Sequence, residues 1–212
     1  ENLLAVHIGQ EVEEIGRAAA HHHQVAGHGA VMQLAQQLEL LVVVQLHGIL
    51  GEVLHQLVQV ALQAGIAEHF RHIADASDVP IMLYDIPGRA AVAIATDTML
   101  RLAEHPGIVA VKDAKGDLTA SARVIAQTEL AYYSGDDAMT LPLLSVGAVG
   151  VVGTSTHFSA VGTKQLIEAY MAGDVATALR LHQQLLPIYT GVFATQGCIL
   201  VKAGLKLQGR DV

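Results

Sequence analysis

Two reactive side chains each close an apolar run. Val79-Pro80-Ile81-Met82-Leu83 leads into Tyr84-Asp85-Ile86-Pro87-Gly88-Arg89. Ile108-Val109-Ala110-Val111 leads into Lys112-Asp113-Ala114-Lys115-Gly116. A lysine attacks a ketone only as the free amine, and partial desolvation at an apolar strand end favours that form. The phenol of Tyr84 can carry protons to and from the resulting carbinolamine. Arg89 offers a planar fork for a carboxylate. Together these are the parts of a Schiff-base aldolase. Each alone has an ordinary reading: a lysine after a strand is usually solvated, a strand-end tyrosine is usually core, and Pro87-Gly88 is a turn. Lys115, in the loop after Lys112, reads as solvated.

These residues need elements to hold them. Apolar, β-rich runs at 79–84, 108–112, 130–134 and 148–153 read as strands. Helical patterns follow them at Thr96 to Glu104, Leu118 to Gln127, Asp137 to Leu144 and Val161 to Met171. Strands alternating with helices at this spacing imply parallel βαβ units. In a β/α barrel the reacting side chains sit at the C-terminal strand ends, where Tyr84, Lys112, Gly135 and Val152 fall. The chain after these units is helical only. Asp174 caps a helix to about Leu186, Pro187 breaks it, and Gln196 to Leu207 makes another. The expected fold is α/β: a TIM (β/α)8-type barrel, incomplete at its N-terminal side, with extra C-terminal helices. The expected divisions are 1–65, 66–158 and 159–212.

Residues 1–65 differ in kind. They contain no Asp, Ser, Thr, Pro, Lys, Cys, Phe, Tyr or Trp and carry seven of the twelve histidines. The local pattern is mostly helical, with Val12, Ile15 and Ala19 on one face, and Val53, Leu57, Val60 and Ile66 at helix-like spacing. Leu40 to Val44 reads as a short buried strand. The stretch is a natural helical segment of odd composition, a reading artefact such as a frame error, or a region of poorly determined residue identity. The nine missing residue types favour the last two. His21-His22-His23 does not make a metal site, because consecutive helical residues point in different directions.

The chain has 212 residues and is acidic, with 12 Lys+Arg against 20 Asp+Glu, so nucleic acid is not an expected partner. No run of about 18 apolar residues suggests a membrane span. The lone Cys198 and the lack of a signal-peptide pattern lead to an expected cytoplasmic location. Of the two adjacent tyrosines, Tyr132 and Tyr133, one is expected in the core. Asp137 reads as the cap of the helix after the third run.

YDIPGR, then VKDAKGD, then YYSGDDA and a glycine-rich final strand resemble the dihydrodipicolinate synthase branch of the N-acetylneuraminate lyase superfamily. The resemblance covers about residues 66–212. It implies an eight-stranded barrel of which these are strands five to eight. It implies that Lys112 forms the Schiff base with pyruvate and that Tyr84 relays protons. It implies that Arg89 holds the carboxylate of aspartate semialdehyde, and that Gly135 and Val152 line the pyruvate pocket through backbone atoms. It implies lysine biosynthesis, a homo-oligomer, and no metal or organic cofactor. Arg89 argues against the sugar-acid lyases of the superfamily, which usually lack it; cleavage of a 2-keto-3-deoxy sugar acid is the alternative reaction. A non-catalytic chain is the rival reading, because the family's threonine pair and paired tyrosines have no counterpart in residues 1–65. A complete barrel takes roughly 250 residues, and 65 residues supply only about two βα units. Gly153 and Thr154 replace the usual Ser-Val.

Overall fold

The computed structural model of the chain describes residues 28–212. Val12, Ile15, Ala19 and His21 to His23 lie outside the described residues. The chain divides into two units, 1–60 and 61–212, and each is taken by itself.

In the first unit the described backbone is helical, within helix α1 (His28–Asp75). Residues 40–44, expected as a strand, lie inside this helix. A short apolar run has no decisive period, and here no turn residues flank it to end the helix. Val53, Leu57 and Val60 are exposed. Apolar residues spread around this helix, so the stripe expected from these three forms no buried face there. In the second unit the same helix does bury one. Ala74 enters the core, and Ile66 and Phe70 pack against it.

Four strands make one parallel sheet in the order β1-β2-β3-β4. They are β1 (Ile81–Asp85), β2 (Ile108–Asp113), β3 (Ala131–Ser134) and β4 (Gly150–Val151). Parallel neighbours need crossovers. One helical turn, α2 (Pro87–Ala90), and α3 (Thr96–Leu102) join β1 to β2. Helix α4 (Leu118–Gln127) joins β2 to β3, and a 3₁₀ turn (Asp137–Met139) with α5 (Thr140–Leu144) joins β3 to β4. Then come α6 (Thr156–Met171), α7 (Val175–Gly191) and α8 (Gly197–Leu207). This is the expected α/β architecture, an incomplete barrel with added C-terminal helices. No described helix is long and apolar enough to cross a membrane.

Register sorts the strand side chains onto two faces. Leu83 pairs with Val111, and Val111 with Tyr132. All three are buried, with Met99, Leu102, Val124 and Leu143 from the covering helices. Each fully buried apolar side chain of this size contributes about 1.5–3 kcal/mol of transfer free energy. Tyr132 is thus the core member of its pair, 1% exposed, as alternation requires. The other face carries Met82, Tyr84, Lys112 and Tyr133. A closed barrel fills that face with side chains from the remaining strands. On this face Met82 and Tyr84 are 40% and 43% exposed.

Two expected helix limits were wrong. Helix α7 does not stop at Pro187 but continues to Gly191. Proline forfeits one backbone bond, yet Ala178 and Tyr189 on either side of it are buried, and that packing carries the helix across. Helix α6 starts at Thr156 rather than Val161. Its first turns are polar and read as loop, but Ser155, Ser159 and Thr163 are buried and mutually hydrogen bonded. Asp174 does cap α7, accepting from the Thr177 backbone N–H at 3.0 Å. That bond holds its carboxyl below the usual carboxylate range.

Candidate active site

Parallel pairing puts Tyr84 beside Lys112, at the C-terminal ends of adjacent strands. The Lys112 ammonium lies 4.1 Å from the centroid of the Tyr84 ring, a cation–π distance. The next strand brings Gly135 against the same lysine. The Gly135 N–H donates to the Asp113 carbonyl at 2.6 Å. A Cβ there would lie 3.0–3.1 Å from Lys112 Cγ, the Asp113 carbonyl and Ala114 Cβ, so these neighbours would have to give way to any side chain at this position. Val152 follows β4 and extends its pairing, its N–H donating to the Ser134 carbonyl at 2.8 Å.

A cleft of about 550 Å³ opens at these strand ends. Tyr84, Arg89, Gly135, Thr154, Tyr189 and Phe193 are among its lining residues. Lys112 and Val152 are not; Lys112 rests against the Tyr84 ring at its edge. Arg89 sits in the single turn α2, which Ala91 closes in the left-handed region at φ 63°. That conformation is costly for a residue with a Cβ and fixes where the chain carrying Arg89 turns back. The structure therefore brings Tyr84, Arg89 and Gly135 into one cavity, with Lys112 beside it.

Lys115 corrects an expectation. It is not solvated: its side chain is 8% exposed, and Nζ lies 3.2 Å from Asp85 Oδ2. Asp85 is itself buried, and its Oδ1 accepts from the Ile94 N–H at 3.1 Å. A buried carboxylate requires such a partner. The pairing spans 30 residues of sequence, which is why the local pattern around Lys115 hides it. Of the two lysines, Lys115 is therefore committed to an ion pair, while Lys112 makes none among the described residues.

Two more buried carboxylates shape the strand ends. Asp113 Oδ2 accepts from Ser121 Oγ at 2.5 Å and from the Tyr132 hydroxyl at 2.6 Å, and Oδ1 accepts from the Lys115 N–H. Burial, then the bond to Asp113, pushes the Tyr132 phenol far above its ordinary pKa. Asp137 is not the cap that the sequence suggested. Asp136 caps the 3₁₀ turn, accepting from the Ala138 N–H at 2.9 Å. Asp137 is 1% exposed and holds the loop after β4. Its Oδ2 accepts from the N–H groups of Thr154 and Ser155, and its Oδ1 from Ser155 Oγ at 2.6 Å. A Cβ at Gly153 would overlap this carboxylate.

From Ser155 a line of hydroxyls continues through Ser159 (3.1 Å) and Thr163 (3.2 Å) to the Tyr189 hydroxyl (3.0 Å). Tyr189 walls the cleft, and burial raises its phenol pKa. One buried network thus joins the β4 loop to the cleft wall. Sequence reasoning missed Asp85, Asp113 and Tyr189 and misread Asp137. A signal existed for the first two. Each follows a site residue directly, so alternation turns it to the buried face with Leu83 and Val111. His157 lies in the first turn of α6 and is exposed. Among the described residues, no three His, Cys, Asp or Glu side chains cluster as a metal site.

The family model of the Dihydrodipicolinate synthetase family matches residues 58–212. The 4-hydroxy-tetrahydrodipicolinate synthase of Acidothermus cellulolyticus is 63% identical over 147 residues, which are 69% of this chain and 48% of that protein. That of Cutibacterium acnes is 59% identical over 150 residues, 71% of this chain and 51% of its own length. The crystal structure of the Cyanidioschyzon merolae synthase with lysine bound superposes with a TM-score of 0.68 at 43% identity, covering 69% of this chain and 51% of that one. The chain spans about half the length of the curated relatives it matches.

Proposed function

The chain belongs to the dihydrodipicolinate synthetase family, and from that premise we propose that it carries the pyruvate-reacting part of a Schiff-base condensing enzyme. The observation that supports this most is the seating of the Lys112 ammonium against the Tyr84 ring, 4.1 Å from its centroid, where two adjacent parallel strands end. The Lys112 amine adds to the pyruvate ketone, and the carbinolamine loses water to form an imine. Loss of a methyl proton gives the enamine, with Tyr84 carrying protons. The enamine carbon attacks the aldehyde of aspartate semialdehyde and forms the new C–C bond. The amine of the adduct then closes on the imine carbon and expels the lysine amine. In this reading Arg89, at the lip of the cleft, grips the aspartate semialdehyde carboxylate. Backbone atoms of Gly135 and Val152 face pyruvate, and Lys112 itself supplies the electrophilic activation, with no metal or organic cofactor. A homo-oligomer working in the cytoplasm, in lysine biosynthesis, belongs to the same proposal and rests on the family.

Arg89 in the cleft lining favours this reaction over cleavage of a 2-keto-3-deoxy sugar acid. A second reading has its own support. Tyr84 and Val152 are 43% and 39% exposed, and residues 1–65 hold no threonine or tyrosine for a relay. On that reading the strands fold but the chain does not turn over substrate. The test is turnover with pyruvate and aspartate semialdehyde. Pyruvate-dependent loss of aspartate semialdehyde, absent in Lys112→Ala, is the expected result. Pyruvate release from a 2-keto-3-deoxy sugar acid, with aspartate semialdehyde untouched, would move the assignment to the sugar-acid lyases. A folded sample inert to both would establish the non-catalytic reading.

A further inference from the structure

The segment that carries Arg89 has few ties to the rest of the fold. It leaves β1 at Ile86, turns through α2 and returns to α3 at Thr96. Among the described residues, the hydrogen bonds of residues 87–92 stay within the turn: the Arg89 and Ala90 N–H groups donate to the Ile86 carbonyl, and the Ala91 N–H to that of Pro87. The ties lie where the segment returns. The Ile94 N–H donates to Asp85 Oδ1 at 3.1 Å. Gln63 of α1 brackets that bond, its Nε2 donating to the Ala93 carbonyl at 2.8 Å and its Oε1 accepting from the Ala95 N–H at 2.9 Å. Of the three, only the bond to Asp85 is fully buried, where water cannot replace it. Apart from the Lys115 ammonium at 3.2 Å, Asp85 Oδ2 has no polar partner among the described residues. A buried carboxylate is strongly disfavoured without its counter-charge. The lysine thus keeps the carboxylate in place, with Oδ1 aimed at Ile94. We propose that Asp85, held by Lys115, is a positioning residue for Arg89: it fixes the return of the segment and so the place of the guanidinium in the cleft wall. This rests on the reading that Arg89 grips the carboxylate of aspartate semialdehyde. It does not extend to Lys112 and Tyr84. Their strands are joined by backbone bonds that need no side chain, and the last of these runs from the Ala114 N–H to the Asp85 carbonyl at 2.8 Å. The pair therefore acts on the second substrate and spares the first.

Two double variants isolate the bond to Ile94. Each removes both charges, so neither leaves an unpaired one buried. Asp85→Asn with Lys115→Met keeps an oxygen for the Ile94 N–H; Asp85→Ala with Lys115→Met does not. Hydrogen exchange of the Ile94 amide, followed by NMR, should be about ten-fold faster in the alanine variant than in the asparagine variant, as for the loss of one buried acceptor. The amides of α4 should exchange alike in both. The KM for aspartate semialdehyde should be higher in the alanine variant by a similar factor of about ten, while the rate of borohydride trapping of pyruvate on Lys112 should differ by less than about two-fold. General damage to the fold would move all of these together. Equal Ile94 exchange in the two variants would overturn the proposal. So would an equal KM, or a trapping rate that falls as far as the KM rises. If the unaltered protein consumes no aspartate semialdehyde, the proposed reaction falls instead, and the exchange comparison alone decides whether Asp85 holds the Arg89 segment.

Discussion

Tyr84→Phe is expected to slow imine formation between pyruvate and Lys112 by about 10²- to 10⁴-fold, the usual size of a general acid–base contribution. The carbinolamine must both gain and lose protons, and on the proposed reading the phenol is the group at hand. The substitution keeps the aromatic face on which the Lys112 ammonium rests, so the lysine keeps its seat. It should also leave stability almost unchanged, because the side chain is 43% exposed and no core contact is lost. Time-resolved borohydride trapping of the pyruvate adduct, with a urea melt alongside, separates the two effects. An unchanged trapping rate in a folded Tyr84→Phe variant would move the proton transfer to another group or to water.

The second large effect concerns Asp137 and Gly153. Asp137→Ala leaves the Thr154 and Ser155 N–H groups without their acceptor and the Ser155 hydroxyl with only Ser159 Oγ as its side-chain partner. Each buried donor left unpaired costs about 1–3 kcal/mol, so this variant should be among the most destabilised. Gly153→Ala should cost about 1–3 kcal/mol for the opposite reason, overpacking, because its Cβ meets the Asp137 carboxylate. Removing that carboxylate opens the space the new methyl needs. The double variant should therefore be less destabilised than the sum of the singles, with a coupling of at least about 0.5 kcal/mol. Urea unfolding of the four proteins measures it. Strict additivity would show that Asp137 does not occupy the space over Gly153.

Local patterns disclosed the strand ends because the physics there is local. An apolar run followed at once by a polar residue marks both a strand and where it stops, so Tyr84, Lys112 and Gly135 can be placed from the runs alone. Helix α4, Leu118–Gln127, was legible from end to end, with Asp117 accepting from the Ala120 N–H at its start. What stayed hidden depends on partners far along the chain. Lys115 reads as solvated until Asp85 is set beside it by the pairing of β1 and β2. Asp137 reads as a cap until the β4 loop folds over it. Pro187 reads as a stop until the burial of Tyr189 outweighs one lost hydrogen bond. Tyr189 itself carries no local signal and reaches the cleft only because α7 packs there. The spacing of Val53, Leu57 and Val60 suggested one helical face, yet all three are exposed.

The most direct test of the central claim is to incubate the chain with pyruvate, reduce with borohydride, and map the modified peptide. The account predicts one pyruvyl adduct, on Lys112, with Lys115 unmodified because its ammonium is buried against Asp85. An adduct on Lys115, adducts scattered over surface lysines, or no adduct on a folded sample would contradict it.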